Sequence, residues 1–167
     1  VTFPCTYADI VEDICEQFDK TYPVNYNSPA QTVVATTKEN VGAFCDAVKT
    51  AGGRAKQLAV SGAFHSPFMA DAAKGLAEYM TEVAFLEPQV QVYSNYTANV
   101  YAGDYKELVR AQVENPVRWQ TLVENMIADG VDTFIEVGVG KTLVGLIKRI
   151  NPDIKAFKVE TPSDIDA

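Results

Sequence analysis

The chain holds one histidine, His65, within Gly62-Ala63-Phe64-His65-Ser66-Pro67-Phe68-Met69. An imidazole takes up and returns protons near neutral pH, so a histidine between a strand and a helix is a candidate general base. The same position also suits a surface histidine or a hydrogen-bonded structural one, and only its surroundings decide between them. A base needs a nucleophile to act on. A serine presented on a sharp turn reads G-x-S-x-G, and no such stretch occurs in the sequence. Ser61, Ser66 and Ser94 lack the flanking glycines, and Ser28 precedes a proline. Cys5, Cys15 and Cys45 form an odd set without CxxC spacing. That argues against a disulfide framework and a zinc site, and fits a reducing cytosol. Gly140-Lys141-Thr142 after an apolar run resembles the end of a phosphate-binding loop, but the glycine needed five residues earlier is Ile135. The nucleotide reading therefore falls, and the glycines are read as a tight strand-to-helix turn.

Composition limits the partners. Of 167 residues 47% are hydrophobic and 22% charged, which suits a folded domain with a real core. No apolar run reaches the roughly 20 residues that span a bilayer, and Val1 to Pro4 carries no secretory pattern. A formal charge of -8 sets the chain against phosphate backbones, so neither nucleic acid nor membrane is an expected partner.

The elements that must position these residues follow from periodicity. Ala8 to Asp19 places Ile10, Val11, Ile14, Cys15 and Phe18 on one helical face. Val1 to Phe3, Tyr22 to Tyr26, Gln31 to Thr36 and Arg54 to Val60 read as strands, and a second helix runs from after Thr37 to about Thr50, ended by Gly52-Gly53. The order β-α-β-β-α-β over residues 1–60 is the ferredoxin-like unit. Over residues 61–167 the rhythm changes. Helices are expected at Phe68 to Val83, Tyr105 to Val113, Val117 to Ala128 and Leu143 to Ile150. Strands are expected at Val90 to Ser94, Thr133 to Val137 and Lys155 to Val159. Alternating helices and buried strands imply a largely parallel sheet, making the whole an α/β (α+β) chain.

Four stretches carry a resemblance to a known family. Pro23-Val24-Asn25-Tyr26-Asn27-Ser28-Pro29, Gly62 to Met69, Asn115-Pro116-Val117-Arg118-Trp119 and Glu136-Val137-Gly138-Val139-Gly140-Lys141 resemble successive signatures of malonyl-CoA:acyl carrier protein transacylases, in the family's order. The resemblance implies a ferredoxin-like subdomain over 1–60, and over 61–167 the C-terminal portion of an α/β-hydrolase-like subdomain. It implies that His65 is the base for a serine attacking a malonyl thioester, oriented by the backbone carbonyl at Gln112 in place of a triad carboxylate. Phe64 and Asn27 become substrate contacts. A phenylalanine before the histidine resembles malonyl-selecting enzymes, because a bulky ring crowds out an extra methyl, an effect of roughly 1–3 kcal/mol. Lys148 and Arg149 suit the negative end of their helix, and the resemblance implies that they dock an acidic acyl carrier protein. Malonyl-CoA is the implied substrate, with no bound cofactor and no metal.

The sequence departs from the family in places. Ala30 replaces a glycine after Ser-Pro, Val139 replaces a proline in the glycine turn, and Thr2-Phe3-Pro4 differs from the family's first strand. The family's serine, its malonate-clamping arginine and its oxyanion-hole glutamine would lie before Val1. A parallel sheet without its other strands has an open edge and an uncovered apolar face, so self-association or pairing with the missing half is expected. The alternative reading is a non-catalytic module that binds carrier protein or another partner.

Overall fold

The computed structural model describes residues 7–58 and 62–165. Its first helix, α1 (Tyr7–Cys15), buries Val11, Ile14 and Cys15, the stripe that the apolar spacing marks. They pack on Phe44 and Val48 of α2 (Val41–Thr50), with Phe18 edge-on to Phe44 at 5.8 Å. Between the helices runs an antiparallel hairpin, β1 (Tyr22–Ser28) and β2 (Gln31–Ala35), turned at Pro29-Ala30. The order α1-β1-β2-α2 is the interior of the ferredoxin-like pattern. Residues 54–58, expected to begin its closing strand, are not in a ladder. Ala59 and Val60 of that strand, and the strand expected at Val1 to Phe3, lie outside the described residues.

The remainder contains α3 (Ala70–Met80), α4 (Tyr105–Glu114), α5 (Trp119–Ala128), β3 (Thr133–Val137), α6 (Thr142–Ile150) and β4 (Lys155–Val159). A single 3-10 turn, Pro67–Met69, leads into α3, because Pro67 fixes the first φ but donates no bond. β3 and β4 pair in parallel with Ile135 opposite Phe157, joined by the right kind of crossover helix, α6. One face of this pair meets a core of Ala98, Leu122, Val123 and Ile147, on which Phe134 and Ala156 pack. The other face is bare: Ile135 is 60% exposed, Val137 80% and Phe157 55%.

The strand expected at Val90 to Ser94 does not form. Only Tyr93 bridges, to Val100, while Val90 and Val92 stay exposed. Tyr101 N–H donates to Val92 C=O and Ser94 N–H to Asn99 C=O, both at 2.8 Å, so the segment closes one narrow antiparallel bridge and gains no ladder beyond it.

The two halves meet at the outer edge of β1 and again at the start of β2. Val117 N–H donates to Val24 C=O and Tyr26 N–H donates back to Val117 C=O, both at 2.9 Å, so the outer edge of β1 continues into the α4–α5 link. Arg118 N–H reaches Asn95 C=O at 2.9 Å, and the Arg149 guanidinium donates to Gln31 Oε1 at 3.0 Å.

Candidate functional site

Pro116 forbids its predecessor the α region, so α4 ends at Glu114 and Asn115 turns to φ -120°, ψ 155°. A helix that stops leaves its last carbonyls without partners. Here each of three is met: Ala111 C=O accepts from Asn115 Nδ2 at 2.8 Å, Gln112 C=O lies 2.7 Å from His65 Nδ1, and Val113 C=O accepts from His65 N–H at 3.1 Å. His65 is thus clamped through both backbone and ring to the end of α4.

A carbonyl oxygen only accepts, so Nδ1 must carry the proton, and in the neutral ring Nε2 is left with the lone pair. This is the tautomer a base needs. The ring is half-buried, and it is held by the C-terminal end of a helix. The cost is conformational. His65 sits at φ +62°, in the left-handed region that a non-glycine residue enters at about 1–2 kcal/mol. Such strain concentrates where chemistry requires a particular side-chain direction.

Phe64, next to His65, is 56% exposed, and its ring lies against the Gly62 backbone so closely that a Cβ there would come within 2.9 Å of it. Asn27 is half-buried on β1, the strand tied through Val117 to the segment that also clamps His65. Lys148 and Arg149 occupy the last turn of α6 and are exposed. Lys148 Nζ donates to the carbonyls of Pro152 at 3.1 Å and Ile154 at 2.5 Å, so part of its donor capacity already serves the loop after the helix.

None of the serines named as nucleophile candidates, among the described residues, is offered to a substrate. Ser28, Ser66 and Ser94 are 4%, 1% and 0% exposed, and Ser94 Oγ accepts from the Tyr96 and Thr97 amides. Ser61 lies outside the described residues. Cys15 does not substitute for serine, because burial, with Glu12 nearby, pushes its thiol up to about 12, and a thiol held protonated is inert. Burial and the hydrogen bond to Glu12, 2.5 Å, also push the Tyr26 hydroxyl up; that contact fastens α1 to β1.

Sequence reading missed two side chains. Glu136 entered the sequence reading only as the first residue of a family-like stretch, yet its Oε1 and Oε2 accept from the Leu143 and Val144 amides at 3.1 and 2.8 Å. It thereby caps α6 across a turn in which Gly138 and Gly140 take φ +137° and +94°. The carboxylate already fills the helix start where a phosphate would sit. Ser66, weighed in the sequence only as a nucleophile, stands before a proline without capping the turn that follows; the loop holding His65 uses its hydroxyl instead.

Residues 6–159 match the acyl transferase domain. The malonyl CoA-acyl carrier protein transacylase of Bacillus subtilis is 36% identical over 160 residues, covering 94% of this chain and 50% of that protein. Its counterpart in Escherichia coli K12 is 40% identical over 148 residues, 87% of this chain and 48% of that one. Among solved structures, the Streptococcus pneumoniae MCAT superposes with a TM-score of 0.90 at 31% identity, over 95% of this chain and 53% of its own. A malonyl-transacylase solved in complex with its type II PKS acyl-carrier protein gives 0.87 at 37%, over 95% and 54%. The chain spans about half the length of the curated relatives it matches.

Proposed function

The chain belongs to the acyl transferase domain family, and on that premise we propose that it supplies the base of a malonyl transfer from coenzyme A to the phosphopantetheine thiol of an acyl carrier protein. The observation that carries the proposal is the 2.7 Å contact from His65 Nδ1 to the Gln112 carbonyl, which turns the chain's one imidazole into a base with Nε2 free. A serine hydroxyl placed at Nε2 gives up its proton as its oxygen attacks the malonyl thioester. The imidazolium then returns that proton to the departing coenzyme A thiolate. In the second half-reaction Nε2 takes the proton of the carrier's thiol, whose sulfur attacks the serine ester, and the imidazolium returns that proton to the departing serine oxygen. The thioester brings its own activation, so no bound cofactor enters. Phe64 limits the acyl α-carbon, Asn27 contacts the substrate, and Lys148 with Arg149 steers the acidic carrier protein.

The serine lies outside these 167 residues. Support is the absence of a G-x-S-x-G turn, the burial of Ser28, Ser66 and Ser94, and a coverage of about half in the relatives named above. The bare face of Ile135, Val137 and Phe157 is where the serine-bearing portion packs, with self-association as the substitute when it is absent. Residues 1–60 are the small subdomain and 61–167 the rest of the larger one. Among the described residues no helix is long and apolar enough to cross a membrane, and the proposed site of action is the cytoplasm.

The test mixes this chain with a polypeptide carrying the serine portion of the family, malonyl-CoA and holo carrier protein, and reads the carrier's mass. Malonylated carrier is expected only when both polypeptides are present. Assembly of the two without any product would overturn the enzymatic reading in favour of a binding module.

A further inference from the structure

Ser66 is 1% exposed, has extended backbone at φ -137°, ψ 168°, and stands directly before Pro67 and the Pro67–Met69 turn. A serine in that setting ordinarily accepts from the amides of the helix it precedes. This one makes no such bond. Its hydroxyl turns backward and donates to Ala63 C=O at 2.5 Å, closing the four-residue turn whose third position is the left-handed His65.

We propose that Ser66 is a positioning residue for the base: it gives up helix capping to lock the Ala63–Ser66 turn in the shape that aims His65 Nδ1 at Gln112. The proposal rests on the reading of His65 as the base. Three bonds then hold one strained residue, namely His65 N–H to Val113, Nδ1–H to Gln112, and Ser66 Oγ–H to Ala63. The first two anchor His65 to α4; the third fixes the turn from the other side. Ala63 C=O can only accept, so the residue at 66 must be a donor. That separates this role from capping, in which an acceptor serves equally well.

The chain's single histidine makes the test unambiguous, because a two-bond proton–nitrogen spectrum of labelled protein shows one imidazole. The parent is expected to show a protonated Nδ1 and a bare Nε2 in the neutral form. Ser66→Ala should lower the ratio of that tautomer to the other by about fivefold, the worth of one hydrogen bond. Ser66→Thr should restore it. Ser66→Asp, a good helix cap that cannot donate, should resemble the alanine variant. Parent-like ring shifts in Ser66→Ala or Ser66→Asp overturn the proposal while leaving the base reading intact. A protonated Nε2 in the parent overturns the base reading itself. Should the alanine variant not fold, the Thr and Asp pair still decides, since the two differ in donor capacity.

Discussion

His65 pays for its direction in backbone strain, and that strain can be measured by replacing the residue twice. Glycine and alanine at position 65 both remove the ring and its bond to Gln112, so their difference isolates the backbone at φ +62°. Alanine keeps the left-handed penalty of about 1–2 kcal/mol, whereas glycine escapes it. Glycine in turn loses roughly 0.5–1 kcal/mol more conformational entropy on folding. The balance favours His65→Gly over His65→Ala by about 0.75 kcal/mol, or about 1.5–3 °C in melting temperature for a chain of this size. Calorimetry on the two variants at neutral pH reads the difference directly. An alanine variant as stable as the glycine one, or more so, would show that residue 65 is not held in the left-handed region, and the account of how the base is aimed would fail with it.

Other outcomes follow from the same geometry. Glu136→Gln keeps one acceptor for the Leu143 and Val144 amides but loses the charge at the start of α6, which should cost about 1.5 kcal/mol and about 3–6 °C by thermal melting. Stability should fall as pH rises above about 9, since the unfolded chain ionises Cys15 near its ordinary 9.0 while the folded one keeps it protonated to about 12. Each pH unit in that window costs about 1.4 kcal/mol per such group, and the raised Tyr26 hydroxyl adds to it; urea titrations at stepped alkaline pH check this. For the same reason Cys15 should react with a thiol reagent at pH 8.5 about a thousandfold more slowly than an ordinary cysteine, as mapped by mass spectrometry. Phe64→Ala, assayed in the reconstituted transfer, should weaken discrimination against methylmalonyl-CoA by about tenfold or more, with an unchanged ratio refuting the crowding argument.

Where an element is fixed by its own periodicity or by a breaker, the sequence reveals it. The stop at Asn115-Pro116 and the apolar run of β3 lie where spacing placed them, while α1 ends at Cys15, short of the expected Asp19, so that Phe18 packs from beyond the helix. Elements that depend on neighbours were not legible in this way. Val90 to Ser94 has the composition of a strand, but composition cannot supply the adjoining strands, and the segment makes only the Tyr93–Val100 bridge. At the site, His65 was legible as a type of residue and Gln112 only through the family resemblance, because the group that matters at Gln112 is a main-chain carbonyl that any residue would bring. Ser66 was hidden because the sequence weighs it only as a nucleophile. Glu136 was hidden by distance, its carboxylate reaching over a glycine turn to amides seven and eight residues on.

The most direct test of His65 as the base is the single-turnover rate at which malonyl-CoA acylates the serine once this chain is assembled with the serine-bearing polypeptide. Replacing His65 by glycine, which leaves the backbone relaxed and the fold intact, should slow that step by on the order of 10²–10⁴-fold. Acylation within tenfold of the parent would mean that the proton leaves by another route and that the clamp at the end of α4 serves structure alone.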